Sequence, residues 1–163
     1  GLVYCPGTIN LKPFKSFKSD DFINDFTINT LGAAKILQKA EKALISAKGS
    51  VVLFSTVAVG QGMPFHASVA MAKGAIEGLS RSLAAEWAPN VRVNTIAPSL
   101  TDTPMAKKLL GNDNRRAASE QRHPLKTVGT PEEIANMAEL LLESKWISGE
   151  VLGVNGGMGR IRN

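Results

Sequence analysis

Apolar residues along this chain fall into four short runs, separated by longer stretches of helical periodicity. The runs are Leu2–Cys5, Val51–Phe54, Val91–Ile96 and Val151–Val154. The second and third runs are rich in β-branched residues and apolar nearly throughout, which is typical of strands buried on both faces of a sheet. We therefore predict four strands, with the second and third buried on both faces.

Three of the intervening stretches carry the signals of helices. Asp20–Ala47 repeats apolar side chains at helical spacing until Gly49 breaks the pattern, as a helix-ending glycine does. Ala67–Trp87 is rich in alanine, and its small residues permit close helix packing. Thr130 opens a capping box, with proline in the first turn, ahead of a helix that we expect to run to about Glu143.

Segment 98–128 lacks such a pattern, because it mixes prolines, glycine and charges of both signs. We predict a long irregular connection there, and a connection of about 30 residues in a compact domain often acts as a lid over a site. The alternation of strands and helices predicts an α/β domain across residues 1–163. Its sheet is expected to be parallel, built from right-handed crossovers.

The composition of the 163 residues is ordinary for a globular protein, with 44% apolar and 20% charged residues. No apolar run approaches the roughly 20 residues of a membrane span, and no signal segment opens the chain, so we expect a cytoplasmic protein. The net charge is +5. Its basic residues are scattered, without an aromatic-interleaved stripe, so we expect no nucleic-acid partner.

Cysteine and histidine usage gives little support for a disulfide or a metal site. Cys5 is the only cysteine, and His66 and His123 have no recognisable ligand spacing. The sequence starts at Gly1 and enters an apolar run at once. Because a natural protein rarely begins inside a buried strand, we expect that an upstream part is absent.

Three groups of residues, in this order along the chain, resemble the short-chain dehydrogenase/reductase family. They are Met71–Ala75 with Gly78–Glu86, then Val91–Pro98, and finally Pro131–Ala135 with Ser148–Val151 and Asn155–Gly157. The resemblance implies a partial doubly wound, Rossmann-like parallel sheet, represented by the family's last four strands. It also implies NAD or NADP as cofactor and hydride transfer between the nicotinamide and a small carbonyl or alcohol substrate.

The family's reaction needs a proton donor, normally a tyrosine four residues before a lysine on the same helical face. Lys73 matches that lysine, either for ribose contact or for packing by its stem, but Val69 stands at the tyrosine position and cannot donate a proton. His66 is a candidate replacement; the alternative is a helix-start residue facing solvent. Tyr4, the only tyrosine, falls in the first strand, where we expect a core or sheet role.

Other positions match the family's hydroxyl and amide groups. The serine that contacts the substrate oxygen corresponds to Thr56, with Ser55 beside it, and either hydroxyl is a candidate; the alternative is a strand-end residue capping a turn. Asn29 matches the asparagine that supports a water near the lysine, and it can also satisfy backbone at a helix kink. Cofactor contacts are expected from the residues that follow the third strand, which are Pro98, Ser99, Thr101 and Thr103.

Two features depart from the family pattern on the cofactor side. The usual Asn-Asn-Ala-Gly is replaced by Tyr4-Cys5-Pro6-Gly7, and Pro6 has no backbone N–H to donate. The glycine-rich turn that holds the pyrophosphate is missing, and Gly60-Gln61-Gly62 does not replace it, because it does not lead directly into a helix.

We therefore expect an NAD(P)-dependent oxidoreductase in the complete protein, with this chain itself inactive and binding dinucleotide weakly or not at all. One alternative is a non-catalytic family member retained for binding or assembly. Another is an unrelated open α/β ligand-binding module, which fits the order of strands and helices but not the motifs. We also expect a homo-oligomer, formed through the open edge of the first strand or through the small-residue helices around Lys35 and Ala72.

Overall fold

A computed structural model describes residues 1–161. Its four strands are β1 (Leu2–Val3), β2 (Ser50–Phe54), β3 (Arg92–Pro98) and β4 (Val151–Val154). They form one parallel sheet in the order β1-β2-β3-β4, which confirms the predicted α/β fold with its four neighbouring strands. β1 is shorter than predicted, because the chain leaves the sheet after the Tyr4 N–H donates to Val52 O at 3.0 Å.

Six α-helices flank the sheet within residues 1–161. They are α1 (Ser19–Phe26), α2 (Gly32–Ser46), α3 (Val57–Gln61), α4 (Ala67–Trp87), α5 (Asp113–Arg122) and α6 (Pro131–Glu143). The bounds of α4 and α6 agree with the prediction. The capping box of α6 is present, since the Glu133 N–H donates to Thr130 Oγ1 at 3.3 Å and the Thr130 N–H donates to Glu133 Oε2 at 2.8 Å.

The helix predicted over 20–47 is interrupted by a π-helical turn, Thr27–Leu31. There the Gly32 N–H donates to Thr27 O, one residue further back than in a regular α-helix. The hydroxyl of Tyr4 donates to Ile28 O at 2.7 Å, the carbonyl that Gly32 would contact in a regular helix. A Cβ atom on Gly32 would collide with this hydroxyl, so only glycine fits. Tyr4 thus has the structural role predicted for it.

The end of α2 corrects a detail of the prediction. Lys48, rather than Gly49, adopts the left-handed conformation, with φ of 47°. The N–H groups of Lys48 and Gly49 then donate back to Ile45 O and Leu44 O, at 3.1 and 2.9 Å. This paired arrangement satisfies two carbonyl groups at the helix end, and the sequence signal placed it one residue too late.

Alternation along β2 divides the core between the two faces of the sheet. Val51 and Leu53 face α2 and α4, in a cluster that contains Leu37, Ile76 and Trp87. Val52 faces α6 and packs with the remaining members of a smaller cluster, which are Ile96, Ala138 and Leu141. The second and third strands are buried on both faces as predicted, and their carboxyl ends define one edge of the sheet.

Segment 98–128 is not irregular throughout, as predicted, because it contains a 3₁₀ turn, Pro104–Ala106, and the ten-residue helix α5. Asn112 caps α5 by accepting a hydrogen bond from the Arg115 N–H at 2.9 Å. Ser119 is its only buried residue, so the helix has no apolar stripe that periodicity would detect. Within residues 1–161, none of the helices is both long and apolar enough to cross a membrane.

Candidate functional site

A cavity of about 490 Å³ opens at the carboxyl ends of β2 and β3, where parallel α/β sheets bind their ligands. Its walls come from the β1–α1 connection, the N-terminal half of α4 and segment 98–122. The structure brings together seven of the eight predicted site residues in this lining, which are Ser55, Thr56, Lys73, Pro98, Ser99, Thr101 and Thr103. The eighth, Asn29, lies directly behind it.

Lys73 projects from α4 and is only 8% exposed. Within residues 1–161 its ammonium group has neither a carboxylate nor a hydrogen-bond acceptor in contact. Burial lowers the pKa of Lys73 to about 8, and the nearby Cys5 thiol opposes this shift. Near neutral pH this side chain can therefore exchange a proton, which an ordinary exposed lysine does not do readily.

Asn29 and Lys73 converge on Gly7. A Cβ atom built on Gly7 would lie 3.2 Å from Asn29 Oδ1 and 3.3 Å from Lys73 Nζ, so glycine keeps the space between them open. Asn29 lies in the π-helical turn, where its Nδ2 donates to Asp25 O and to Thr8 Oγ1, both at 2.7 Å. The side chain therefore satisfies backbone at a helix irregularity, and its amide oxygen accepts the Thr8 N–H at 3.3 Å.

The two candidate hydroxyls after β2 differ in their hydrogen bonds. Ser55 Oγ donates to Glu77 Oε1 at 2.6 Å, so its proton is already committed inside the protein. Thr56 Oγ1 accepts the Ala58 N–H at 3.3 Å and caps α3. No acceptor for the Thr56 proton lies within hydrogen-bonding distance among residues 1–161. Thr56 thus caps a helix, as one alternative predicted, and its proton is unengaged within residues 1–161, while contact with a substrate oxygen stays a prediction.

Val69, at the tyrosine position, lines the cavity one turn before Lys73 and is 5% exposed. It contributes an apolar surface where a phenol would stand. His66 precedes the first residue of α4 and lines the same cavity. Its Nδ1 lies 2.7 Å from Pro64 O, a carbonyl that can only accept, so Nδ1 carries the hydrogen and Nε2 is left for another partner.

The residues after β3 form the wall on the other side, and one of them has an unexpected partner. His123 Nε2 lies 2.8 Å from Ser99 Oγ, and His123 Nδ1 lies 2.8 Å from Ser119 O. His123 is 1% exposed and thus ties the end of β3 to α5. Thr101 and Thr103 hydroxyls donate to the carbonyls of Ser99 and Thr101. Sequence reasoning missed His123, because no spacing links it to Ser99.

Two further lining residues were also missed. Arg115 and Arg122 both belong to α5 and reach the cavity from its outer side. The Asn112 cap and Asp113 in the first turn were available in the sequence as helix-start signals. Arg115 and Arg122 are seven residues apart, and this spacing places both on one face of that helix.

The residues present fit one end of a dinucleotide. The Lys73 ammonium and the open space at Gly7 suit the hydroxyls of a ribose, and Thr101 and Thr103 suit an amide-bearing ring. The pyrophosphate end finds no such fit within residues 1–161. Gly60 and Gln61 belong to α3, and Gly62, with φ of 70°, ends that helix, whereas the glycine-rich turn of a dinucleotide site leads into a helix N-terminus.

Comparison with known proteins identifies the family. The profile described as enoyl-(acyl carrier protein) reductase matches residues 1–159. A tropinone reductase homologue of Arabidopsis thaliana is 35% identical over 165 residues, which cover 96% of this chain and 62% of the relative. A 3-oxoacyl-[acyl-carrier-protein] reductase of Chlamydia muridarum is 44% identical over 114 residues, or 68% of this chain and 45% of the relative.

Solved structures agree on the fold. Gluconate 5-dehydrogenase of Burkholderia cenocepacia, in complex with NADP and tartrate, superposes with a TM-score of 0.92 at 23% identity. The superposition covers 99% of this chain and 65% of that structure. The chain spans 52–62% of the length of six Arabidopsis relatives with which it aligns over 96% of its own length at 30–35% identity. It belongs to the short-chain dehydrogenase/reductase family.

Proposed function

We propose that this chain forms the substrate- and nicotinamide-binding part of an NAD(P)-dependent oxidoreductase that interconverts a carbonyl compound and an alcohol. The observation that carries the proposal is the cavity itself, in which a buried lysine with a lowered pKa and an uncommitted threonine hydroxyl line one space at the carboxyl edge of the sheet. When bound, the dinucleotide supplies or accepts the hydride.

Each residue then has a role that its contacts support. Thr56 donates a hydrogen bond to the substrate oxygen, since within residues 1–161 its hydroxyl oxygen accepts the Ala58 N–H and its proton has no acceptor. Lys73 binds the ribose hydroxyls and stabilises negative charge on the substrate oxygen by its ammonium group. Asn29 orients a water toward Lys73, and Pro98, Ser99, Thr101 and Thr103 line the nicotinamide side. Segment 98–128 acts as the lid, with α5 as its outer wall.

The proton donor is the unusual part, because Val69 has no proton to give. We assign the donation to the imidazolium form of His66, which transfers the proton on Nε2 to the substrate oxygen while its Nδ1–H stays bonded to Pro64 O. The test uses a polypeptide in which this chain follows a glycine-rich dinucleotide-binding segment. His66→Gln should lower kcat at least about 100-fold, as for the loss of a general acid. Unchanged turnover would remove His66 from the mechanism.

Lys73 provides the test of the function as a whole. Lys73→Ala in the same polypeptide should abolish turnover of carbonyl substrates, while Lys39→Ala, an exposed lysine on α2, should leave it unchanged. The chain of 163 residues alone is expected to bind NAD or NADP weakly or not at all, because the described residues, 1–161, include no pyrophosphate cradle. Micromolar affinity in a direct titration would contradict that expectation.

One observation favours a second candidate, a non-catalytic family member retained for binding or assembly. Val69 is buried and apolar at the position where this chemistry normally requires a phenol. Val69→Tyr separates the two candidates. In a catalytically silent member whose other groups are intact, the phenol four residues before Lys73 should create turnover, whereas in an active enzyme with a different donor it should bring little gain.

We also propose that the chain self-associates. β1 pairs only with β2 in residues 1–161, and Val3 on its open edge is 38% exposed. The helix surface offers the exposed side chains of Ile23, Ile36 and Met71. On the helices around Lys35 and Ala72, Ala72 itself is fully buried within the chain and its carbonyl accepts the Thr30 hydroxyl at 2.8 Å, so exposed neighbours such as these would form the contact. A strictly monomeric species in light scattering would contradict self-association.

A further inference from the structure

Helix α5 presents a defined face to the cavity. Its lining residues are Arg115, Ala118, Ser119 and Arg122, which follow the i, i+3, i+4, i+7 spacing of a single helical face. Two positive charges thus occur two turns apart on the side of the helix that borders the candidate substrate space. Ala118 and Ser119 between them are small and leave that space open.

The acidic residues of the same segment are turned elsewhere. Asp102 pairs with Arg116, and Glu120 approaches the same guanidinium at 3.9 Å. Neither carboxylate lines the cavity, nor does Asp113 in the first turn. The charges of α5 are therefore divided, because Arg116 pairs with the acidic residues outside the cavity, while the exposed Arg115 and Arg122 border it.

The other residues that line the cavity add to its excess of positive charge. Lys73 adds a third cation, and among residues 1–161 no aspartate or glutamate lines the cavity. Two carboxylates lie behind its wall, and both already accept hydroxyl hydrogen bonds: Asp25 from Thr8 and Ser68, and Glu77 from Ser55. Most of the remaining lining is apolar, with Ile9, Leu11, Met63, Leu100, Met105 and Leu109 as its larger members.

Arg122 is the better placed of the two α5 arginines to hold an anion. Arg115 Nη1 donates to Lys108 O at 3.1 Å, which uses part of its guanidinium. Arg122 has neither an ion-pair nor a hydrogen-bond partner within residues 1–161. It borders the cavity near Leu11, Met63 and His66, which also surround a shallower neighbouring depression. Guanidinium groups bind carboxylate and phosphate oxygens in a bidentate manner.

We propose that the cavity selects carbonyl substrates that carry an anionic group, carboxylate or phosphate, on an apolar body, and that Arg122 binds this anion. The proposal rests on the proposed function in that it places the anion in the cavity where the carbonyl is reduced. A cationic amine would meet three positive charges and no carboxylate in the lining, so it is selected against.

Binding to the 163-residue chain tests the proposal without any turnover. Calorimetric titrations with hexanoate, hexyl phosphate, hexanol and hexylamine keep the six-carbon body constant and vary only the charge. We expect the two anions to bind about tenfold more tightly than hexanol, with hexylamine weakest, and we expect this advantage to shrink as salt is added. The stronger of the two anions identifies the headgroup.

Matched variants locate the interaction. Arg122→Gln should abolish the preference for anions over hexanol while leaving hexanol binding unchanged. Lys107→Gln removes the same charge from an exposed residue of the same segment outside the lining, and it should leave the preference intact. Equal unfolding midpoints in urea show that neither variant has lost its fold. A preference that survives in Arg122→Gln, or an equal affinity for hexanol and the anions in the parent, would overturn the proposal.

Failure of the anion-selectivity proposal is distinguishable from failure of the proposed oxidoreductase function. If the anion preference depends on Arg122 but no carbonyl compound is turned over, the oxidoreductase assignment fails and the binding site stands. If the polypeptide with its dinucleotide-binding segment reduces neutral carbonyl compounds as well as their anionic analogues, the selectivity proposal fails and the oxidoreductase assignment stands.

Discussion

Two helices supply very different walls to the same cavity. α4 lies against the sheet and buries residues along its whole length, namely Ser68, Val69, Ala72, Lys73, Ile76, Ser80, Ala84 and Trp87. α5 lies on the outside and buries only Ser119, with His123 directly after its last residue. Lys73 on α4 is thus fixed by the core, while the α5 residues assigned to substrate recognition are held by few contacts.

The most direct test of this difference between α4 and α5 is a substitution that weakens the packing of α4. Ile76 is 1% exposed and belongs to the larger core cluster, so Ile76→Ala should lower the free energy of unfolding by about 3.5 kcal/mol. Met71 lies on the same helix but is 51% exposed, and Met71→Ala should cost less than about 0.5 kcal/mol. Urea denaturation measures both. Similar losses would show that α4 is not held mainly by its buried face.

The cost of placing a charged lysine on the buried wall should appear in the pH dependence of stability. The pKa of Lys73 is about 8 in the folded chain, against an ordinary value of 10.5 for an exposed lysine. Between these values the unfolded chain holds a proton that the folded chain has released, so stability rises with pH in this window. The free-energy cost of burying the charged form of Lys73 is fully present below pH 8.

Comparison with Lys73→Met isolates this contribution. Relative to the variant, the parent chain should gain about 2.5 kcal/mol of unfolding free energy between pH 8 and pH 10. Urea titrations of both proteins at half-unit pH intervals measure it. Parallel stability curves would contradict the burial of a titrating ammonium group. The upper limit of pH 10 avoids Tyr4, whose pKa is raised by burial and whose ionisation opposes the trend.

The attachment of α5 can be weakened at a single point. His123→Ala removes a buried ring together with its bonds to Ser99 and Ser119, and it should cost about 2 kcal/mol of stability. His66→Ala, at the start of α4, removes a half-buried ring and should cost less than about 1 kcal/mol. If the two losses are equal in thermal or urea unfolding, His123 does not anchor α5.

The smallest expected effect concerns the N-terminus of α5. Asn112→Ala removes the side-chain cap on Arg115 N and should destabilise the helix by about 1 kcal/mol. Because α5 opens locally, hydrogen exchange of its amides should accelerate several-fold while exchange in α4 stays unchanged. Equal acceleration in both helices would mean that the two walls unfold together, contrary to the comparison.

Where a helix or strand packs on the core, its sequence was enough to predict it. β2, β3, α4 and α6 carry continuous apolar runs, close-packed alanines or a complete capping box, and their positions follow from local rules. α5 was not predicted because its inner face borders a cavity. The residues there are arginine, alanine and serine, so the helix carries no apolar period to detect.

The features of the candidate site also fall into those that local sequence patterns predict and those that they do not. The spacing between Val69 and Lys73 placed both on the cavity, since it depends only on helical geometry. The different fates of Ser55 and Thr56 were not predictable, because the bond from Ser55 to Glu77 joins residues 22 positions apart through the tertiary fold. The bond between Ser99 and His123 is of the same kind. Local patterns specify helix faces, whereas long-range partners decide which hydroxyl proton is left over.

The phenol of Tyr4 and the bare Cα of Gly32 impose an order on how this protein can change. A side chain at position 32 strikes the phenol, so that exchange is tolerated only after the ring has shortened or gone. Loss of the Tyr4 ring alone leaves only the Ile28 carbonyl of the π-helical turn without its hydrogen bond, and the fold tolerates this step. In related proteins that differ at both positions, we therefore expect the tyrosine to have been replaced before the glycine. The residues found at the two positions then indicate the order in which the substitutions occurred.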